Sequence, residues 1–132
     1  MEIGNRFELS YEVQSSDLAK ELSIDPDDDF PEVYATSRMI ALMELASARL
    51  MKPMLSEGEL SVGVNVNVNH LAATPNNAAV KAISIYEGME GKLFKFAVTL
   101  IDAGGKAGIG THTRAIVKTE RLVSGANERV NL

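Results

Sequence analysis

An alternation of apolar and polar residues marks several strands along this chain. Residues 7–14 alternate strictly, and one face of the predicted strand carries Phe7, Leu9, Tyr11 and Val13. The segment 61–69 keeps the same period of two, and its apolar positions, predicted to face the core, are Val62, Val64, Val66 and Val68. Glycine-rich turns at 88–91 and 102–106 separate the remaining predicted strands, which span residues 78–87, 92–101 and 107–119.

A long apolar segment after the first predicted strand has the composition of a buried helix. Residues 37–51 carry apolar side chains at most positions, and a helix that is apolar on nearly every side is buried. Thr36 or Ser37 can cap its N-terminus by accepting a backbone hydrogen bond, and Pro53 lies just beyond its end. A shorter helix is predicted over residues 15–22.

The predicted order of elements is one strand, one long helix and about four consecutive strands. This α+β pattern indicates an antiparallel sheet wrapped around one long central helix, which is the hotdog arrangement. The chain length fits a single domain, residues 1–132, with a structured core over about residues 2–121. The polar C-terminal tail, residues 124–132, is predicted to be frayed.

Composition excludes several classes of function. The formal net charge of −5 argues against binding to DNA or RNA, which requires clustered Lys and Arg. The chain has no cysteine, so thiol nucleophiles, disulfides and thiolate metal sites are excluded. The spacing of its two histidines, His70 and His112, matches no metal motif. No secretory signal or membrane-spanning stretch is visible, so we expect a cytoplasmic protein that is not bound to a membrane.

Glu44 is the most informative residue of the predicted helix. On a helical wheel, Arg38 and Arg49 fall within about 20° of each other and mark the solvent side. Glu44 points roughly 120° away from Arg38, toward apolar neighbours. A carboxylate on the apolar side of a helix requires a partner or a chemical role, because burying an unpaired charge is costly. Glu44 is therefore either a structural carboxylate, paired with an arginine or with the backbone, or an acid–base group.

His70 and Thr36 are the other candidates for chemistry. If the strand of valines continues, His70 shares their face and points toward the helix and Glu44. Such a pair can perform acid–base chemistry near neutral pH, although a lone histidine at a strand end is commonly an ordinary hydrogen-bonded residue. Thr36 is either a helix cap or a group that stabilises an oxyanion together with the free N–H groups of the first helical turn.

The spacing of Thr36 and Glu44 adds a constraint on any shared site. Eight residues along one straight helix correspond to a rise of about 12 Å, so the two side chains cannot hydrogen-bond to each other. Either the chain bends sharply at Thr36, or a second subunit completes the site.

Three parts of the sequence resemble motifs of the fluoroacetyl-CoA thioesterase-like family of hotdog proteins. They are the helix entry at 33–44, the segments 61–63 and 68–75, and the late-strand segment 108–114, in the family's order and spacing. The resemblance implies a hotdog fold, hydrolysis of acyl-CoA thioesters, and dimers with pockets at the subunit interface. The sequence departs from the family at Thr36-Ser37-Arg38, where Thr-Pro is more usual, and this departure removes no catalytic group.

The resemblance also implies roles for individual residues. The family's catalytic positions fall on Thr36, Glu44 and His70. Its substrate-binding positions fall on Gly63, Arg114 and Phe30. Gly63 leaves room for the substrate, and Arg114 faces either the CoA phosphates or a structural carboxylate. Phe30 corresponds to a pocket-gating aromatic residue, whereas without the resemblance it is an ordinary packing residue.

The leading prediction is therefore a homodimeric thioesterase that hydrolyses a small acyl-CoA without a cofactor, with Glu44 as general base or as nucleophile. Two alternatives remain, an enoyl-CoA hydratase or dehydratase on the same fold and a non-catalytic acyl-CoA-binding module. The acyl group stays open, because selectivity depends on the shape of the pocket. Glycines between Gly105 and Gly110 lack the spacing of a phosphate-binding loop, so they either relieve crowding in a bulged strand or let a CoA chain approach the backbone.

Overall fold

A five-stranded antiparallel sheet and one long helix packed against it form the body of the computed structural model, which describes residues 1–132. The strands are β1 (Arg6–Glu12), β2 (Glu59–His70), β3 (Ala79–Glu90), β4 (Leu93–Asp102) and β5 (Gly105–Lys118). The helices are α1 (Thr36–Met51) and α2 (Thr119–Val130), with short 3-10 turns at Ser15–Asp17, Ala19–Leu22 and Lys52–Met54. The strand order is β1-β3-β4-β5-β2, so β1 and β2 form the two edges. The predicted hotdog architecture is confirmed.

The predicted element boundaries hold more closely for the strands than for the turns. Strand β3 continues to Glu90, so the predicted turn at 88–91 is reduced to Gly91 and Lys92, and Gly91 has a positive φ of 63°. The predicted helix over residues 15–22 is instead two 3-10 turns. They are separated by Leu18, which is extended and forms a β-bridge with Tyr34.

Helix α1 buries one side against the sheet. Met39, Met43 and Met51 are almost completely buried there, and the sheet contributes Val80, Ala82, Phe96, Val98 and Leu100 to the same core. The other side of α1 is open, and Leu45 on that side is 41 % exposed. This corrects the prediction that the helix is buried on nearly every side. A single sheet can cover only one side of a helix, and no second layer of this chain covers the other.

The N-terminus of α1 differs from the predicted capping arrangement. Ala35 occupies the N-cap position and makes no side-chain cap, and its carbonyl accepts hydrogen bonds from the N–H groups of Arg38 and Met39. Thr36 is the first helical residue, so neither Thr36 nor Ser37 caps the helix. The hydroxyl of Thr36 is consequently available for another partner.

Strand β2 contains a bulge that the valine pattern does not reveal. Its pairing with β5 shifts register between Gly63 and Asn65, which inserts Val64 as one extra residue. Before the bulge, Gly63 faces α1, because a Cβ atom added at Gly63 would meet the side chain of Glu44. Beyond the bulge, Val66 is paired with the buried His112 and therefore lies on this same face.

The bulge corrects the prediction that the four valines of β2 share one buried face. Val68 packs against the core, but Val64 is 55 % exposed and Val66 is 36 % exposed. Val62 is adjacent to Gly63 and so points to the opposite face of the sheet. The predicted register is right only from Val66 onward, which includes His70 at the end of the strand.

The C-terminal tail is a helix and not the frayed segment predicted from its polar composition. Helix α2 extends to Val130 and ends at Asn131, which adopts a left-handed conformation and donates its N–H to the carbonyl of Glu128. All but the first residue of α2 are exposed. Polar composition predicted exposure correctly, but it does not exclude helix formation. Neither helix of the protein is long and apolar enough to cross a membrane.

Two glycines in β5 allow close packing. A Cβ atom added at Gly108 would lie 2.5 Å from the sulfur of Met39, and one added at Gly110 would overlap the backbone carbonyl oxygen of Asn67 in β2. The contacts at Gly108 and at Gly110 both support the first predicted role of these glycines, which is to relieve crowding within the fold.

These contacts predict different tolerances to alanine. We expect Gly110→Ala to lower the free energy of unfolding by about 3 kcal/mol, because backbone of β2 would have to move. Gly108→Ala should lower it by only about 1 kcal/mol, because the flexible Met39 side chain can yield. Gly125→Ala in α2, with open space around the site, is the control. Urea denaturation measures the free energy of unfolding of all three variants. Equal stabilities for Gly110→Ala and Gly125→Ala would contradict the prediction.

Candidate active site

The N-terminus of α1 and the end of β2 bring two predicted catalytic residues together. The hydroxyl oxygen of Thr36 lies 2.8 Å from Nδ1 of His70, a hydrogen-bonding distance between residues 34 positions apart. The two segments are held by a hydrogen bond from the N–H of Tyr34 to the carbonyl of Thr74. The Nε2 atom of His70 is buried and has no hydrogen-bond partner within the chain. One nitrogen of this imidazole is therefore bound to Thr36, and the other has no partner within the chain.

A cavity of about 400 Å³ adjoins this pair. Its lining includes Thr36, His70, Ala72 and Ala73, together with Pro31 and Val33 from the segment that leads into α1. Most of these side chains are small or apolar. Phe30 precedes Pro31 but is not among the lining residues, and it is 46 % exposed. Within one chain, the predicted gating aromatic residue therefore lies beside the cavity and not in it.

Glu44 and Arg114 form a second cluster. Nη1 of Arg114 donates to Oε1 of Glu44 at 3.1 Å, and the Glu44 side chain remains 37 % exposed. Arg114 is only 6 % exposed, and it also donates from Nε to the hydroxyl and from Nη2 to the carbonyl of Ser61. Of the two roles considered for Arg114, the structure supports contact with a carboxylate. Ser61 was not among the predicted site residues, although it lies in the segment 61–63 that resembles a family motif.

Gly63 makes the approach of Glu44 to the sheet possible. A Cβ atom at this position would overlap Oε1 of Glu44 and lie 3.3 Å from Cε1 of His112. Any side chain here would displace the carboxylate. The prediction that Gly63 leaves room for the substrate stays a prediction, since the group that occupies the space in this chain is the Glu44 carboxylate.

His112 belongs to the Glu44 cluster and was not among the predicted site residues. Its Nδ1 atom lies 2.9 Å from the backbone carbonyl of Asn65, and its Nε2 atom lies 3.2 Å from Nη1 of Arg114. Burial lowers the pKa of His112, and the charge of Arg114 lowers it further, against opposing effects of the Asn65 carbonyl and Glu44. The available sequence signal was its position two residues before Arg114, which places both side chains on one face of β5.

The two clusters do not join within one chain. Thr36 is the hydrogen-bond partner of His70, whereas Glu44 is bonded to Arg114, and α1 is continuous from Thr36 to Met51. A sharp bend at Thr36, one of the two options considered, is therefore absent. No group of three or more His, Asp or Glu side chains is arranged to hold a metal ion.

Comparison with known proteins identifies the family. The sequence profile of the fluoroacetyl-CoA-specific thioesterases matches residues 13–120. The chain belongs to this family. Fluoroacetyl-CoA thioesterase from Streptantibioticus cattleyicolor is 35 % identical over 124 residues, which cover 92 % of this chain and 89 % of that protein. The predicted family resemblance is thereby confirmed.

Solved structures of the fluoroacetyl-CoA thioesterase family agree with this fold. One structure of the fluoroacetyl-CoA thioesterase superimposes with a TM-score of 0.92 at 34 % identity, covering 97 % of this chain and 96 % of that one. Another, in complex with fluoroacetate and CoA, gives a TM-score of 0.87 at 35 % identity and covers 92 % and 99 %. A thioesterase superfamily member from Thermus thermophilus, 24 % identical with a TM-score of 0.85 over 98 % and 93 %, shares the fold.

The burial of His112 predicts a pH-dependent stability. Its pKa is lowered in the folded state, so the unfolded chain binds a proton first as the pH falls below the ordinary value of 6.5. The contribution of His112 to stability is therefore complete above that pH and declines below it, by at most about 1.4 kcal/mol per pH unit. Urea denaturation between pH 7.5 and about 5.5 should show a steeper loss for the wild type than for His112→Gln. Parallel curves would contradict the prediction.

Proposed function

We propose that this protein hydrolyses the thioester bond of a small acyl-CoA, with Thr36, Glu44 and His70 as catalytic residues. The observation that carries the proposal is the carboxylate of Glu44. It is accessible to solvent on an otherwise largely apolar helix, and a buried arginine holds one of its oxygens at 3.1 Å. This arrangement holds a solvent-accessible carboxylate oxygen in a fixed position, as a base or a nucleophile requires. Membership of a thioesterase family supports the same reaction.

Glu44 can act in either of two ways. As a general base, its carboxylate takes a proton from water while the water oxygen attacks the thioester carbon. As a nucleophile, it attacks that carbon directly, and water then hydrolyses the resulting anhydride. In both routes the C–S bond breaks and the CoA thiolate takes up a proton. Neither route requires a cofactor, since water is the only co-substrate.

Thr36 and His70 provide the groups that bind the thioester and transfer protons. The N–H groups of Thr36 and Ser37 at the start of α1 form no hydrogen bond within the chain, and they can donate to the carbonyl oxygen as negative charge develops on it. The unpartnered Nε2 atom of His70 can donate to the substrate when Nδ1 accepts the Thr36 hydroxyl proton. Thr36 thus orients His70 and contributes to the oxyanion site.

The proposed site requires two subunits. Within one chain, Glu44 is bonded to Arg114 and does not contact the Thr36–His70 pair. The side of α1 that carries Leu45 is exposed to solvent. The edge strand β2 is 12 residues long and exposes Val64 and Val66, which favours pairing with a second copy of the same strand. We propose a homodimer in which Glu44 of one subunit acts together with Thr36 and His70 of the partner subunit.

Complementation between inactive variants tests the reaction and the shared site together. Glu44→Gln and His70→Ala, each prepared as a homodimer, should lower kcat for acyl-CoA hydrolysis by roughly 10²-fold or more. A heterodimer of the two variants, isolated with two different affinity tags, would contain one intact site and one site with both substitutions. Its rate per dimer should recover to about half of the wild-type rate. Thiol release from a panel of acyl-CoAs measures the activity.

The outcomes separate the site from the reaction. A heterodimer as inactive as its parents would show that Glu44 and His70 act from the same subunit. Full activity in folded Glu44→Gln protein would contradict the mechanism and leave Glu44 as a structural carboxylate. Hydration of crotonyl-CoA without thiol release would instead support the hydratase alternative. CoA binding without either reaction would support the binding module.

The role of β2 in dimerisation gives a second prediction. Val64→Lys places a charge on the free edge of β2, and we expect it to shift the protein from dimer to monomer at micromolar concentration. Leu122→Lys is the matched control, because Leu122 is similarly exposed, at 45 % against 55 %, but lies on α2. Sedimentation velocity distinguishes the two states. A wild-type monomer, or equal behaviour of both variants, would exclude this interface.

The physiological acyl group and the location of the protein are separate parts of the proposal. The cavity beside Thr36 and His70 has a volume of about 400 Å³ and mostly small or apolar walls, which favours a short acyl chain.

A cytoplasmic location fits a chain without cysteine, which has no requirement for an oxidising compartment.

A further inference from the structure

His112 links the bulge of β2 to the buried arginine of the site. It is 1 % exposed, and both of its ring nitrogens have a partner: the carbonyl of Asn65 for Nδ1 and Nη1 of Arg114 for Nε2. We infer that His112 is a positioning residue, whose neutral imidazole holds Arg114 in place and thereby fixes the carboxylate of Glu44. The inference rests on the proposed catalytic role of Glu44.

The two partners define the tautomer of His112. A backbone carbonyl can only accept a hydrogen bond, so Nδ1 must carry the proton that is donated to Asn65. An arginine can only donate, so Nε2 must offer a lone pair to Arg114. Only the neutral imidazole protonated at Nδ1 satisfies both bonds. The charged groups that face this ring are Arg114 in β5 and Glu44 in α1, while Phe96 covers it from β4 at a ring-centroid distance of 6.3 Å.

The bulge of β2 provides the carbonyl that selects this tautomer. The register shift between Gly63 and Asn65 disrupts regular pairing with β5 at this point. The carbonyl of Asn65 accepts from His112 Nδ1 at 2.9 Å. A regular ladder would direct backbone carbonyls to backbone N–H groups and not to a side chain. The bulge thus has a specific role next to the site, where it orients an imidazole.

The effect of His112 on Glu44 passes through one nitrogen of Arg114. Nη1 donates to Nε2 of His112 at 3.2 Å and to Oε1 of Glu44 at 3.1 Å, while Nε and Nη2 are held by Ser61. With both acceptors present, Nη1 is held between them. Without the imidazole, one of its protons is left unpaired in a buried position, and the guanidinium can shift relative to the carboxylate.

Three substitutions at His112 separate its two hydrogen bonds. His112→Gln keeps an acceptor near the position of Nε2, so Arg114 retains its partner. His112→Asn keeps a donor near the position of Nδ1 and loses the acceptor. His112→Phe keeps the ring beside Phe96 and loses both bonds. If the bond to Arg114 is the important one, the Gln variant should behave like the wild type, and the Asn and Phe variants should behave like each other.

The separate effects on kcat and KM distinguish a positioning role from a purely structural one. We expect kcat to fall roughly 10-fold to 100-fold in the Asn and Phe variants, with a smaller change in KM, because a misplaced reacting group lowers the rate of the chemical step. The Gln variant should keep a kcat within about 3-fold of the wild type, because Arg114 retains its acceptor.

Nitrogen NMR of the His112 ring tests the inference independently of activity. The wild type should show a neutral ring protonated at Nδ1, and Arg114→Gln should change the Nε2 signal. A ring protonated at Nε2 would overturn the inference, whether or not the protein hydrolyses acyl-CoA. A lack of acyl-CoA hydrolysis would instead contradict the proposed function. Among folded and active proteins, a wild-type kcat in His112→Phe, or equal losses of kcat in the Gln and Phe variants, would overturn it as well.

Discussion

The site depends on a guanidinium that is buried at the edge of the sheet. Arg114 is almost fully enclosed and remains charged, so the surrounding structure must supply hydrogen-bond acceptors for it. Ser61, Glu44 and His112 supply them with a hydroxyl, a backbone carbonyl, a carboxylate and an imidazole nitrogen. Removing one of these acceptors is costly, because part of the buried guanidinium is then left without a hydrogen-bond partner. The same requirement that stabilises Arg114 therefore fixes Glu44.

Three elements meet that requirement together. Helix α1 contributes the carboxylate, β5 contributes the guanidinium and the imidazole, and β2 contributes both groups of Ser61. Their close approach is possible because Gly63 has no side chain that would occupy the space of the Glu44 carboxylate. The core on the opposite side of the cluster, centred on residues such as Phe96 and Met43, anchors α1 against the sheet. Packing thus sets the distance at which the charges interact.

The sequence predicted the elements of this fold better than their connections. Apolar periodicity reports which side of a strand or helix is covered, and it located α1 and five strands within three residues of their observed ends. The bulge in β2 could not be predicted in this way, because Val and Asn continue to alternate through it. The helix at the C-terminus does not follow from the sequence, because a polar composition fits an exposed helix as well as a frayed tail.

The candidate site was predictable in its members and less so in its contacts. Glu44, His70 and Thr36 follow from their positions in the predicted elements, and the family resemblance adds Gly63, Arg114 and Phe30. Which of these touch each other depends on pairing across 34 or 70 residues of sequence, and local pattern contains no such information. His112 was not predicted as a site residue, because its place two residues before Arg114 indicates a shared face of β5 but not which groups of other elements lie beside it.

The extra residue in β2 also affects how this chain should be aligned with its relatives. Before Val64 the odd-numbered residues of β2, Ser61 and Gly63, face α1, whereas after it the even-numbered residues do. These even-numbered residues are Val66, Val68 and His70. A relative that lacks one residue at this point cannot keep both Gly63 and His70 directed at the helix. Relatives that share this site should therefore keep the number of residues between Gly63 and His70, and not only the identity of the two residues.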